Sequence, residues 1–229
     1  MPSKTVDDST HPGPIPFVVG VTGHRDVRPE DVPALETAVR SVFDELRSRM
    51  PSTPLLLLSG LAEGADQLVA RVALSRGVQV TAVLPMPAPI YRSTLGEPAR
   101  QSFDELVARA SEVIDLPLGD ATEEQLAMSA DARVGRYDAL GVFLTTHSQA
   151  LIALWDGVPS DKRGGTAQVV RCMLEGFPDA SGERAPVGPV YHIQTARLSS
   201  PAAPPSGAPE VRVLGPNRDP EESTARDAE

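Results

Sequence analysis

Apolar residues run along this chain in two alternating rhythms. Phe17-Val-Val-Gly-Val-Thr22, Leu55-Leu-Leu-Leu-Ser59, Val78-Gln-Val-Thr-Ala-Val-Leu84 and Ala150-Leu-Ile-Ala-Leu-Trp155 are short continuous runs. Their length and branching predict strands buried on both faces. Between them, apolar positions recur every three to four residues, which predicts helices. The first holds Val32, Leu35, Val39, Val42, Phe43 and Leu46, opening at Pro29-Glu-Asp31 and stopping before Pro51. The second runs from about Ala62 to Arg76 with Gly77 as its cap. Phe103, Leu106, Val107 and Ala110 mark another, and Thr166 to Glu175 a further one. Glu123 to Thr146 reads as one helix weakened by Gly135 and Gly141. Val113-Ile-Asp-Leu116 is a short strand and Val190 to Thr195 the last core strand, while Val211 to Leu214 is either an edge strand or no element. Pro85 to Arg92 is so dense in proline that it predicts an irregular loop.

Apolar strands separated by amphipathic helices imply the α/β class: a Rossmann-like three-layer sandwich with a mainly parallel sheet. Residues 1–15 read as a flexible N-terminus and residues 16–197 as one Rossmann-like domain. Residues 198–229 form a Pro/Ala-rich, linker-like tail that includes the candidate edge strand 211–214. With 229 residues, one sizeable core is expected. The net charge of −10 and pI near 4.9 argue against nucleic acid as a partner. A single cysteine, Cys172, excludes an internal disulfide and fits a reducing compartment. No secretory pattern opens the sequence, and no apolar run approaches the ~18 residues that span a bilayer. A cytoplasmic protein without direct membrane contact is therefore expected.

Ligands of such sheets lie beyond the carboxyl ends of the strands, where the strand order reverses. Three of the predicted strand ends have unusual composition. After strand one come Gly23, His24 and Arg25: close backbone approach, a hydrogen-bonding ring, and a guanidinium that can hold phosphate bidentately. After strand two, Ser59-Gly60-Leu-Ala-Glu63-Gly64-Ala-Asp66 turns into a helix, so backbone N–H groups gather at the positive end of a dipole. Asp66 there could accept a ribose hydroxyl, and Glu63 lies in the same turn. After Trp155 and Asp156, the segment Gly164-Gly165-Thr166-Ala-Gln168 repeats the strand, glycine turn and helix order. Gly-x-Gly-x-x-Gly is absent after strand one, as is Gly-x-x-x-x-Gly-Lys-Ser/Thr anywhere. Dehydrogenase and phosphate-loop ATPase chemistry are thus disfavoured.

At these residues the chain resembles the SLOG superfamily of Rossmann-type nucleotide-binding domains. Ser59-Gly-Leu-Ala-Glu-Gly-Ala-Asp66 is similar to the Ser-Gly-x-Ala-x-Gly-x-Asp segment of the DprA (Smf) family. Ile152-Ala-Leu154 with Gly164-Gly-Thr166 is similar to the strand and Gly-Gly-x-Gly-Thr turn of LOG phosphoribohydrolases. Val21-Thr-Gly-His-Arg25 is similar to the start of YpsA-like members. The resemblance implies a nucleotide or an NAD-derived, ADP-ribose-like ligand, held by a sensor or regulatory domain. It also implies an alternative, cleavage of a nucleotide at its N-glycosidic bond, which in LOG enzymes uses an Arg and a Glu. Arg136 is a counterpart of the Arg but precedes Tyr137 instead of Lys, and no carboxylate follows Thr166 until Glu175. Gln168 cannot serve as a base. The expectation is a binding domain without a complete catalytic set, with no cofactor and no metal. Arg25, Arg92 and Arg136 would neutralise phosphate charge, and Tyr137 or Trp155 would flank a base. Self-association and an attached effector module are compatible with this reading.

Overall fold

The computed structural model describes residues 14–176, 187–199 and 209–216. Most of the expected flexible N-terminus, and residues 200–208 and 217–229 of the linker-like tail, lie outside the described residues.

Seven strands form one sheet: β1 (Phe17–Gly23), β2 (Leu55–Ser59), β3 (Gln79–Leu84), β4 (Glu112–Asp115), β5 (Ala150–Trp155), β6 (Val190–Gln194) and β7 (Val211–Leu214). Their order is β4-β3-β2-β1-β5-β6-β7. All pairings are parallel except β6 with β7. The expected α/β Rossmann-like sandwich is what forms. The strand order reverses at β1, which lies between β2 and β5, so the ends of these three strands face the crevice where such sheets hold ligands.

Two helical layers flank the sheet. Val19, Val21, Leu57, Val80, Ile152 and Ile193 pack with Leu35, Val39 and Phe43 of α1 (Val32–Arg49) and Leu68 and Val69 of α2 (Ala65–Ser75). Alternate strand residues turn to the opposite face. There Leu58 and Val83 meet Leu140 and Leu144, while Leu151, Ala153 and Val190 meet Val169, Val170 and Met173. Four of the remaining five helices are α3 (Ala88–Ser93), α4 (Ala99–Arg109), α5 (Glu123–Met128) and α6 (Ala130–Thr146). The last is α7 (Thr166–Glu175).

Two predicted elements change. The proline-rich stretch after β3 is helical from Ala88, because Pro89 lies in the first turn, where its missing N–H is not needed by the helix. The long helix expected from Glu123 to Thr146 is two helices. Ser129 is extended (ψ 122°), and its Oγ accepts the Ala132 N–H at 3.3 Å, capping α6. Thr122 and Gln125 form a reciprocal capping box at the start of α5. The predicted cap at Gly77 is present: at φ 68° its N–H reaches the Leu74 carbonyl, and that of Val78 the Ala73 carbonyl.

Glycines at the carboxyl edge differ sharply in the space around them. A Cβ at Gly64 would lie 2.3 Å from the Arg25 carbonyl oxygen, and φ there is +84°. At Gly135, inside α6, a Cβ would meet nothing within 4 Å. Gly64→Ala is therefore expected to lower stability by at least ~2 kcal/mol, from strain and overpacking together. Gly135→Ala should raise it by about 0.5–1 kcal/mol through helix propensity. Chemical denaturation of both variants checks the contrast.

Candidate functional site

The turns that follow β1 and β2 interlock. The Ala65 N–H donates to the His24 carbonyl at 3.0 Å, joining the start of α2 to the end of β1. A Cβ on Gly23 would lie 2.4 Å from that of Ala65, and one on Gly64 2.6 Å from the His24 carbonyl oxygen. Both glycines are thus required by the crossing of two backbones.

The turn after β2 already uses several of its amides. Ser59, fully buried, accepts the Leu61 N–H on its Oγ at 3.1 Å. The Ala62 N–H donates to Asp66 Oδ2 at 3.3 Å. Leu61 is held at φ 52°, a left-handed conformation costing a leucine roughly 1–2 kcal/mol, with its side chain wholly inside the core. Over Gly60 lies α6: a Cβ there would be 2.7 Å from Leu140 Cδ2 and 3.1 Å from Asp66 Oδ2. The negative group standing at the positive end of α2 is therefore the protein's own Asp66.

Asp66 is 7% exposed, and burial pushes its pKa up to about 7, although the Ala62 N–H and the Arg25 charge pull it down. Arg25, exposed at the mouth of the β1 turn, lies 5.0 Å over the ring of Tyr137 from α6. Such cation–π contacts are worth about 0.5–1 kcal/mol at an exposed site. Tyr91, from α3, completes the group. Its ring is wholly buried, 6.4 Å from that of Tyr137, and its hydroxyl interacts electrostatically with Arg25 and Asp66. Burial raises the Tyr91 pKa above its ordinary value, so the phenol stays neutral. Arg25, Asp66, Tyr91 and Tyr137 thus meet from four separate segments.

His24 faces the other side of β1. Its Nε2 accepts the Asp156 N–H at 3.0 Å, so that nitrogen carries no proton. Burial lowers the His24 pKa, which keeps the ring neutral, and the nearby Asp156 Oδ1 at 3.3 Å is then no ion-pair partner. The contact bridges the β1 and β5 ends. Asp156 Oδ1 also accepts the Val158 N–H, and its carbonyl accepts from Gln194 Nε2. Trp155 packs against the His192 ring at 5.4 Å.

The β5–α7 turn is braced from within. Gln168 Oε1 accepts the Gly164 N–H at 2.7 Å, while its Nε2 donates to Asp138 Oδ1 at 2.7 Å. Arg163 holds the other Asp138 oxygen at 2.7 Å. Gly165 donates its N–H to the Lys162 carbonyl. At Gly164 (φ 67°) a Cβ would lie 2.8 Å from Tyr137 Cβ, so Tyr137 stands between this turn and Arg25. The amides of Thr166 and Ala167 in the first turn of α7 precede its internal ladder.

Three candidates point elsewhere. Arg92 makes a bidentate pair with Asp104 of α4, Nε to Oδ1 and Nη2 to Oδ2, each at 2.8 Å. Arg136 donates to the Pro85 carbonyl at 3.1 Å, tying α6 to the end of β3. Glu63 Oε2 accepts the Gly96 N–H at 3.3 Å. Sequence reasoning missed Tyr91, one residue from Arg92, because the loop assigned to that stretch has no facing rule; a helix beginning at Pro87-Ala-Pro89 would have turned adjacent residues about 100° apart. It also missed Gln67, 3% exposed, whose Nε2 donates to the carbonyls of Leu61 and Ala99. Among the described residues no group of three or more His, Cys, Asp and Glu could hold a metal, and no helix is long and apolar enough to cross a membrane.

Asp66 gives the fold a pH dependence of defined sign. Its pKa is higher in the folded chain than unfolded, so between about pH 4 and 7 the native state binds more protons. Stability from this group is complete below pH 4 and is lost as pH rises to about 7. Asp66→Asn keeps an acceptor for the Ala62 N–H but cannot ionise. The stability of Asp66→Asn relative to the wild type should grow across that window by at most roughly 4 kcal/mol and then level off. Urea melts at several pH values measure the difference; a flat difference would contradict the buried carboxylate.

No family model and no curated protein matches the chain. Among solved structures it is similar to DNA processing protein A from Helicobacter pylori, at TM-score 0.43 and 16% identity over 75% of this chain and 69% of that one. It is similar to DNA processing protein A (DprA) from Streptococcus pneumoniae at TM-score 0.41 and 17% identity, covering 61% of this chain. The match spans 41% of the S. pneumoniae protein's length. TM1055, a structural-genomics target, is similar at TM-score 0.34 and 14% identity over 60% of each chain.

Proposed function

We propose that this chain binds a nucleotide or an NAD-derived ligand of ADP-ribose type at the carboxyl edge of the sheet, as a sensor or regulatory domain. The observation that carries the reading is the gathering of Arg25, Asp66 and Tyr137 beside the Gly164 turn, at the strand ends where such sheets hold ligands. Arg25 supplies charge for a phosphate, helped by the first-turn amides of α7. Asp66 takes a sugar hydroxyl, and Tyr137, already stacked by a cation, offers a face to a base. Gln168 is bound to Gly164 and Asp138, and no carboxylate of α7 stands near its N-terminus, which supports binding without complete catalytic machinery.

The surroundings of Arg25 support a regulatory role. Its neighbour Asp26 accepts from Arg197 Nε at 3.1 Å and from the Ser199 hydroxyl, while the Leu198 N–H donates to the Asp26 carbonyl at 2.7 Å. A ligand that moves the β1 turn therefore pulls on residues 197–199, which follow β6. A fused or associated effector, or a second copy of the chain, would read that movement.

A second reading rests on Asp66. A buried carboxyl with a pKa near 7 is half protonated at neutral pH, as suits a general acid or base. N-glycosidic hydrolysis of a nucleotide would use it, and chromatography for free base, with Asp66→Asn as control, tests that route.

For binding itself, titration calorimetry with ADP-ribose, NAD, ADP and AMP is the direct measurement. At least one should bind, and Arg25→Ala should weaken it about 10- to 100-fold, the scale of a lost charged hydrogen bond. Arg92→Ala, which breaks only the exposed pair with Asp104, should leave affinity unchanged. A single-stranded oligonucleotide belongs in the same series, since DNA processing protein A of H. pylori has a single-stranded DNA binding mode. Tight oligonucleotide binding with no nucleotide response would overturn the proposal.

A further inference from the structure

Tyr91 carries a polar atom that packing does not explain. Its side chain is wholly buried, and its hydroxyl has no hydrogen-bond partner among the described residues. The ring is fixed by the edge of Phe103 at 5.8 Å and by Tyr137 at 6.4 Å. Phenylalanine would fill the same space and leave no polar group unsatisfied. A buried O–H without a partner is a cost that folded proteins rarely keep without use. The ring lies against Tyr137, whose own ring carries Arg25 at 5.0 Å, so the unbonded hydroxyl belongs to the same group of side chains as Arg25.

We infer that Tyr91 is a specificity-determining residue whose hydroxyl, together with the Asp66 carboxyl, recognises the vicinal diol of a ribose; the inference rests on the nucleotide reading above. The donor and acceptor inventory selects the group. Asp66, when ionised, can only accept hydrogen bonds, whereas Tyr91 both donates and accepts. Of a diol's two hydroxyls, one can give its O–H to the carboxylate while the oxygen of the other receives from the phenol. A phosphoryl group at the same corner would place a second anion beside a buried carboxylate, which low polarity penalises. Phosphates therefore go to the exposed Arg25 and the start of α7, and the sugar goes inward. On this arrangement the site prefers ribonucleotides to their deoxy counterparts.

The test compares ADP, 2′-deoxy-ADP and 3′-deoxy-ADP on the wild type and on Tyr91→Phe, by calorimetry, with melting temperatures of both free proteins. The wild type should prefer ADP over at least one deoxy analogue by about 10- to 100-fold. Tyr91→Phe should lose about tenfold in ADP affinity and bind that analogue as the wild type does, so that the preference shrinks. The free variant should melt no lower than the wild type, because the substitution removes an unsatisfied group. A lower melting temperature would mean that the hydroxyl is bonded in the free protein, and would overturn the inference. So would unchanged ADP affinity, or an equal loss for all three nucleotides. If the wild type binds none of them, the nucleotide reading fails first and this one with it.

Discussion

The hydrogen bond from Ala65 to the His24 carbonyl, with Gly23 and Gly64 on either side of it, sets the geometry of the whole carboxyl edge. Two backbones can approach this closely only where neither carries a Cβ. The crossing brings Arg25, at the end of β1, within electrostatic reach of Asp66, in the first turn of α2. It also sets the start of α2 over the strand ends, where Leu140 of α6 closes on Gly60. A side chain at any of these glycines would push apart layers whose separation the core demands.

Around that crossing, polar groups divide into those that the fold consumes and those that it leaves. Ser59, Gln67, His24 and Gln168 each complete a bond that a turn or a helix start would otherwise lack. Their chemistry is spent on holding strand ends together. Arg25 rests on an aromatic face, Asp66 is held off its ordinary ionisation by burial, and the Tyr91 hydroxyl is bonded to nothing among the described residues. Arg76 Nε and Ser148 Oγ, away from this edge, are also buried without a partner among the described residues; what this edge adds is a group of strained and unbonded residues close together. Leu61, held left-handed in the same turn, belongs to that group.

The clasp of Asp26 by Arg197 and Ser199 links the β1 turn to the chain that follows β6 at the same edge. Ion pairs of this kind contribute little to stability when half exposed. Their worth here is positional, because they tie the β1 turn to the chain after β6. His24, neutral and bonded to the Asp156 amide, couples the same turn to β5. The residues on either side of Arg25 are therefore bonded to the end of β5 and to the chain after β6.

Much of the fold is legible in the chain alone. Continuous apolar runs mark β2 and β5 to the residue, and Gly77 marks the end of α2, because burial on both faces and a left-handed cap leave direct imprints on composition. The turn from Ser59 to Asp66 stands out as glycine-rich, and it lies at the carboxyl edge of the sheet, beside the end of β1. What its glycines admit is another matter. Gly60 and Gly64 make room for Leu140 and for the carbonyls of His24 and Arg25, neighbours that are 80 and about 40 residues away. A local pattern records that a position must be small, without recording what approaches it. The same limit explains Tyr91 and Arg92. Adjacent in sequence and both able to meet a phosphate, they are separated by the turn of α3, which aims Tyr91 into the core and leaves Arg92 to Asp104. Sequence sets which elements form, through local periodicity; which side chains share a site is decided by long-range packing of those elements, and that is a property of the tertiary structure alone.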